Sequence, residues 1–87
     1  MKSITYKLKS INGLSSRASI QLVNIANKFK SELILSFKNE TANLKSVMSV
    51  MALIIRNNET FSINATGIDE NEAIDAINIY LNDSKLI

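Results

Sequence analysis

Ile4-Thr5-Tyr6-Lys7-Leu8-Lys9-Ser10-Ile11-Asn12-Gly13-Leu14-Ser15-Ser16-Arg17-Ala18 changes its hydrophobic period partway along, and that change decides the fold. Ile4, Tyr6 and Leu8 alternate with Thr5, Lys7 and Lys9, the two-residue period of a strand with one buried face. Asn12-Gly13 predicts a turn. Beyond it Ala18, Leu22, Ile25, Ala26 and Phe29 recur at helical spacing, so an amphipathic helix is expected over about residues 16–29. Ser15 or Ser16 can cap its start. Lys28 and Lys30 fall at its end, where positive charge complements the helix dipole.

The same two periods recur downstream. Leu33, Leu35 and Phe37 alternate, Lys38-Asn39-Glu40 makes a turn, and Ala42 with Leu44 predicts a short paired strand. Ser46 opens an apolar stretch through Leu53 that is long enough for about two helical turns. After the polar Arg56-Asn57-Asn58-Glu59, residues Phe61, Ile63 and Ala65 alternate as a fourth strand. Asp69 and Glu72 have the spacing of a capping box for a last helix, with Ala73, Ile74, Ile77, Tyr80 and Leu81 as its buried stripe. The order is βαββαβα, and every strand has one wet and one dry face. An α+β fold follows: one sheet covered on one side by helices.

Composition narrows the function classes. At 87 residues the chain is expected to form a single domain over 1–87. It has neither cysteine nor histidine, so disulfides, thiolate chemistry and zinc or haem ligation are not expected, and no cofactor is. A net charge of +2, spread along the chain, gives no reason to invoke nucleic acid or an anionic membrane as the main partner. The longest apolar run, Val50 to Ile55, is six residues, far below a membrane span. Residues 1–8 lack the apolar centre of a signal peptide. A cytoplasmic location is the simplest expectation.

Two motifs carry a resemblance. Gly13-Leu14-Ser15-Ser16-Arg17-Ala18 and Asn43-Leu44-Lys45-Ser46-Val47-Met48 resemble the HPr family, the small phosphocarriers of the bacterial sugar phosphotransferase system. Lys28-Phe29-Lys30-Ser31, Met51, and Gly67 followed by Asp69-Glu70-Asn71-Glu72-Ala73 fit the same family in order. The resemblance implies an open-faced β-sandwich, a four-stranded antiparallel sheet with three helices on one side. It also implies that Ser15 occupies the position of the family's phosphorylated histidine. Ala18 stands where proline is usual, and Ser49, Ile54 and Arg56 where glycine is common. HPr-like proteins that lost the histidine and kept a regulatory serine, such as the catabolite-repression paralogue, are the nearest pattern.

A phosphate relay needs a nucleophile whose phosphorylated form remains a good donor. An imidazole meets both needs near neutral pH. A serine hydroxyl without a neighbouring base is a weak nucleophile, and its phosphate ester is a poor donor. Plain helix capping is therefore the expected role of Ser15 or Ser16. Arg17 places a cation against the positive end of a helix, at a cost of roughly 0.3–1 kcal/mol. Either an anion or acidic partner visits Ser16 and Arg17, or the guanidinium extends into solvent.

By the resemblance, Ser46 is the serine phosphorylated by HPr kinase. Its place before a helix suits a group of about −1.5 to −2 charge, although any N-capping serine would look alike. In the second helix Val50 and Leu53 are the expected core positions. Val47, Met48 and Met51 then form an exposed patch, which the resemblance implies is the docking surface, unless all three are core; Ile54 and Ile55 add apolar surface.

Three functions compete. The first is a regulatory HPr-like protein that cannot relay phosphate, with HPr kinase/phosphorylase and a catabolite-control transcriptional regulator as the implied partners. The alternative is a phosphocarrier of the phosphotransferase system whose histidine is replaced by Ser15, serving enzyme I or sugar-transport subunits. A homodimer is compatible with either. RNA binding by the open sheet is disfavoured because its wet positions (Thr5, Lys7, Ser36, Ser62 and Asn64) include no aromatic residue.

Overall fold

A computed structural model describes all residues, Met1–Ile87. In chain order the elements are β1 (Lys2–Lys7), α1 (Ser16–Ala26), β2 (Glu32–Phe37), β3 (Glu40–Asn43), α2 (Val47–Met51), β4 (Thr60–Thr66) and α3 (Glu70–Asp83). The strands form one antiparallel sheet in the order β1-β4-β2-β3. Register follows the hydrophobic alternation: Tyr6 opposes Phe61, Ile4 opposes Ile63, Leu35 opposes both Ile63 and Ala42, and Leu33 opposes Ala65. These residues line the face beneath the helices, where Leu22, Val23 and Ala26 of α1 and Ala73, Ile74, Ile77 and Leu81 of α3 complete the core.

The opposite face is wet and bonded to itself. Ser3 Oγ donates to Asn64 Oδ1 at 2.6 Å, Asn64 Nδ2 donates to Ser36 Oγ at 3.0 Å, and Thr5 pairs with Ser62 at 3.0 Å. Short polar side chains thus occupy one another's hydrogen-bonding groups across β1, β4 and β2, and solvent serves the rest.

Four local expectations need correction. Helix α1 stops at Ala26, short of Phe29, with Asn27 as its C-cap, whose side chain donates to the Val23 carbonyl at 2.9 Å. The next amides then pair three residues back, Lys28 to Ile25 and Phe29 to Ala26, which tightens the chain into turns. Lys28 and Lys30 lie beyond the helix; the cation at its end is Lys45, whose Nζ donates to the Phe29 carbonyl at 2.7 Å. Helix α2 is only five residues long, because the chain turns left-handed at Ile54, with φ 49°. That turn sends Ile55 into the core at 3% exposure, so Ile55 adds nothing to the surface.

The fourth correction concerns Asp69. It caps α3 by position, but its side chain makes no cap bond and no box with Glu72. Its carboxylate instead accepts from Lys30 N at 2.8 Å, from Ser31 N at 2.9 Å and from Ser31 Oγ, tying the start of α3 to the start of β2. Glu70 Oε1 accepts from Gly67 N at 3.1 Å in its place. Gly67 has no room for a side chain, since a Cβ there would lie 2.5 Å from Ser31 Oγ.

Candidate functional site

The two motifs open α1 and α2, which pack side by side. Gly13 begins this arrangement. Its φ of +67° and a carbonyl oxygen 2.6 Å from where a Cβ would sit exclude other residues. With the turn made, Leu14 N donates to the Ile55 carbonyl at 2.9 Å, fixing the start of α1 beside the chain that leaves α2. At the other end Asn27 Nδ2 donates to the Lys45 carbonyl at 3.3 Å. The two helices therefore run antiparallel.

Ser15 is the N-cap of α1, with extended backbone and its Oγ accepting from Ala18 N at 3.2 Å. Ser16 and Arg17 follow it in the first turn, and all three are exposed. No carboxylate pairs with Arg17; the ion pairs of the chain are Met1 with Glu70 and Lys38 with Glu59. The Ser15 hydroxyl hydrogen-bonds to no base: its bond is to the Ala18 amide, and the sequence has no histidine.

Ser46 caps α2, its Oγ accepting from Ser49 N at 3.4 Å and its backbone N donating to Asn43 O at 3.0 Å. Asn43 Oδ1 accepts from Lys45 N at 3.0 Å, so the turn before Ser46 is held by its own side chains. Ser46 is half-buried. Because the helices are antiparallel, Ser15 and Ser46 stand at opposite ends of α1, about 16 Å apart by helix rise. The structure does not join them into one constellation.

Between them lies an apolar strip. Met48 is 84% exposed and Met51 43%, whereas Val47 is half-buried against the core and contributes only an edge. Val50 and Leu53 are buried as expected. Ile54 after α2, expected to add apolar surface, is exposed and joins the strip, and so does Ile20 on α1, which the sequence reading did not single out. Ile20 shares a flank of α1 with Asn27, seven residues on, which bonds the start of α2. The signal for Ile20 was present, since it falls off the buried stripe of Ala18, Leu22 and Ala26.

The electrostatics of this face are one-sided. Residues 41–58 contain Lys45 and Arg56 and no Asp or Glu; α1 carries Arg17, and Lys28 follows its end. The acids lie elsewhere, with Glu70, Glu72, Asp75 and Asp83 on α3. Several carboxylates are held below their ordinary values: Asp69 chiefly by the Ser31 hydroxyl, Glu59 by the Arg56 amide, and Glu70 by the Gly67 amide. All three bonds are structural. No cluster of acids could hold a metal ion, no pocket indents the surface, and no helix is long and apolar enough to cross a membrane. Chemically the face can cap, bind anions and dock proteins.

Comparison with known proteins agrees along the whole chain. A family model described as the PTS HPr component phosphorylation site matches residues 2–83. The phosphocarrier protein HPr of Mycoplasma pneumoniae is 38% identical over 88 aligned positions, covering all of both chains. Among solved structures, a mycoplasma histidine-containing phosphocarrier protein superposes with a TM-score of 0.96 at 32% identity, over 99% of this chain and 98% of that one. Crh, the Bacillus subtilis catabolite-repression protein, described as a domain-swapped dimer, superposes with a TM-score of 0.74 at 28% identity, over 95% of each chain.

Proposed function

Because this chain belongs to the HPr family of the bacterial phosphotransferase system, we propose that it is a single-domain regulatory member of that family, which signals through Ser46 and relays no phosphate. The observation that carries this reading is the complete absence of histidine, together with a Ser15 hydroxyl engaged as a helix cap. Phosphate transfer through Ser15 would need a base to take the hydroxyl proton, and then a bond labile enough to pass the group on. Neither is at hand. Ser15 stands in for the family's phosphohistidine, and Arg17 with Ser16 is what remains of its anion-binding turn.

Ser46 is the regulatory position. A phosphate there brings about −1.5 to −2 charge and three acceptor oxygens. Helix α2 is too short to lend it much dipole, so its effect comes from side-chain charge. It would roughly cancel Lys45 and Arg56, the cations of a segment that has no acid. A neighbouring surface that had met a cation would then meet an anion, and an arginine-bearing partner would be favoured. HPr kinase/phosphorylase would write the signal in the cytoplasm and a catabolite-control transcriptional regulator would read it. The patch of Val47, Met48 and Met51 would supply the contact area. Ser46→Ala should abolish regulator binding under phosphorylating conditions; unchanged binding would refute the reading.

The alternative is a phosphocarrier serving enzyme I or sugar-transport subunits, and the likeness to a Mycoplasma phosphocarrier favours it. Ser15→Ala separates the two. If enzyme I and phosphoenolpyruvate load wild type but not Ser15→Ala, the carrier reading stands. A homodimer remains part of the proposal because both Crh and one Thermoanaerobacter tengcongensis HPr are described as dimers.

A further inference from the structure

Helix α2 is five residues long, and a helix that short does not hold its own first turn. Ser46 precedes it, so the direction of the Ser46 hydroxyl depends on what fixes the chain from outside. The cap bond from Ser49 N to Ser46 Oγ is long, at 3.4 Å, and orients the hydroxyl only loosely. Bonds within the motif and to β2 supply part of the frame. Leu44 N donates to the Leu33 carbonyl at 2.9 Å, Lys45 N to Asn43 Oδ1 at 3.0 Å, and Ser46 N to the Asn43 carbonyl at 3.0 Å. The Lys45 carbonyl, which shares a peptide unit with Ser46 N, is held by another element. Asn27 of the α1 end holds it, its Nδ2 donating across 3.3 Å.

Asn27 is itself fixed from the helix side. It is the C-cap of α1, and the same Nδ2 donates to the Val23 carbonyl at 2.9 Å. One amide therefore joins the end of α1 to the peptide that enters Ser46. Lys45 makes a second tie, Nζ to the Phe29 carbonyl at 2.7 Å. That tie runs through a flexible four-carbon stem, which places the ammonium and leaves the peptide plane free. We propose that Asn27 is a positioning residue for phosphorylation of Ser46, fixing the Lys45–Ser46 peptide so that the hydroxyl meets the γ-phosphate of a nucleoside triphosphate in line. The inference rests on the Ser46 reading above and deepens it. In the transfer the Ser46 Oγ–phosphorus bond forms, and the bond from the γ-phosphorus to the bridging oxygen breaks. The nucleoside diphosphate leaves, and the hydroxyl proton passes to a base of the kinase. Catalysis of such a step is mostly positioning and charge stabilisation, and Asn27 supplies the first without touching a reacting atom.

Three variants of the full-length protein test this. Asn27→Ser keeps a hydroxyl donor for the carbonyl four residues back, but it is too short to reach Lys45. Asn27→Gln retains the amide. Asn82→Ser removes the matching bond of α3, from Asn82 Nδ2 to the Asn78 carbonyl at 2.9 Å, and controls for the local bond alone. With ATP and HPr kinase, Asn27→Ser should lower kcat at least about threefold and leave KM within about twofold. Asn27→Gln should recover most of that loss, and Asn82→Ser should match wild type. In the unmodified proteins, hydrogen exchange at the Ser46 and Ser49 amides should quicken at least about threefold in Asn27→Ser and in neither other variant. A wild-type kcat in Asn27→Ser, an equal loss in Asn82→Ser, no recovery in Asn27→Gln, or unchanged exchange would each overturn the proposal. Wild type that takes no phosphate from ATP and active kinase sinks the Ser46 account and this inference with it. Phosphate gained equally fast by wild type and Asn27→Ser sinks this inference alone.

Discussion

Gly13 and Ile54 share a left-handed backbone and each precedes one partner of the Leu14–Ile55 hydrogen bond, but their substitutions act in opposite directions. Gly13→Ala places a Cβ 2.6 Å from a carbonyl that must stay put to receive Leu14 N. It should cost about 2 kcal/mol or more, measured by urea unfolding. Ile54→Gly relieves roughly 1–2 kcal/mol of strain and gives back about 0.5–1 in chain entropy. The net expectation is a gain of roughly 0.5–1 kcal/mol, and a marked loss would contradict the strain. Gly13 was visible in the sequence because Asn-Gly is a turn signal by itself. The strain at Ile54 was not, since nothing in an Ile-Ile pair states which of the two enters the core.

Helix caps and cross-element clamps divide the next scale. Ser15→Ala removes the acceptor for Ala18 N and should destabilise the protein by about 1 kcal/mol. Because Ser46 is at the far end of α1, the same variant should leave phosphorylation of Ser46 unchanged. The Asp69 clamp has its own signature in pH. Hydrogen bonds from Ser31 and Lys30 hold its carboxyl below the ordinary 3.8, and Glu59 and Glu70 shift the same way from 4.5. The unfolded chain therefore binds these protons first. The stabilisation is complete above the ordinary values and is lost as pH falls through the lowered ones. Urea midpoints should hold near neutrality and fall from about pH 4.5 downward. Asp69→Ala should lower the neutral midpoint and flatten that fall.

Strand and helix periods were legible because they are local patterns of two and 3.6 residues. The clamp was not. Ser31 and Asp69 are 38 residues apart, and the Asp69-to-Glu72 spacing pointed to a cap that never forms. Leu86 escaped notice for a similar reason. It is buried, and its carbonyl accepts from Lys9 N at 2.7 Å, a contact between the two ends of the chain.

For the molecule as a whole, the decisive feature is how charge and apolar surface are sorted. Residues 10–31 and 41–58 carry Arg17, Lys45 and Arg56 among their cations and no acid, while α3 holds four of the eight acidic residues. A net charge of +2 conceals that division, so composition alone pointed to no partner. The radius of gyration, 11.5 Å, is close to the roughly 12 Å expected of a compact chain this long. Strand β1 accordingly completes its own sheet against β4. The regulatory account treats the face of α1 and α2 as a docking surface whose charge is reset at Ser46, with Ser15 a cap and nothing more. Its most direct test is intact mass with site mapping after two separate incubations. One uses phosphoenolpyruvate with enzyme I, the other ATP with HPr kinase. The account predicts no added phosphate in the first and a single phosphate on Ser46 in the second. Phosphate gained from phosphoenolpyruvate, or a Ser46 that stays bare beside ATP and active kinase, would contradict it.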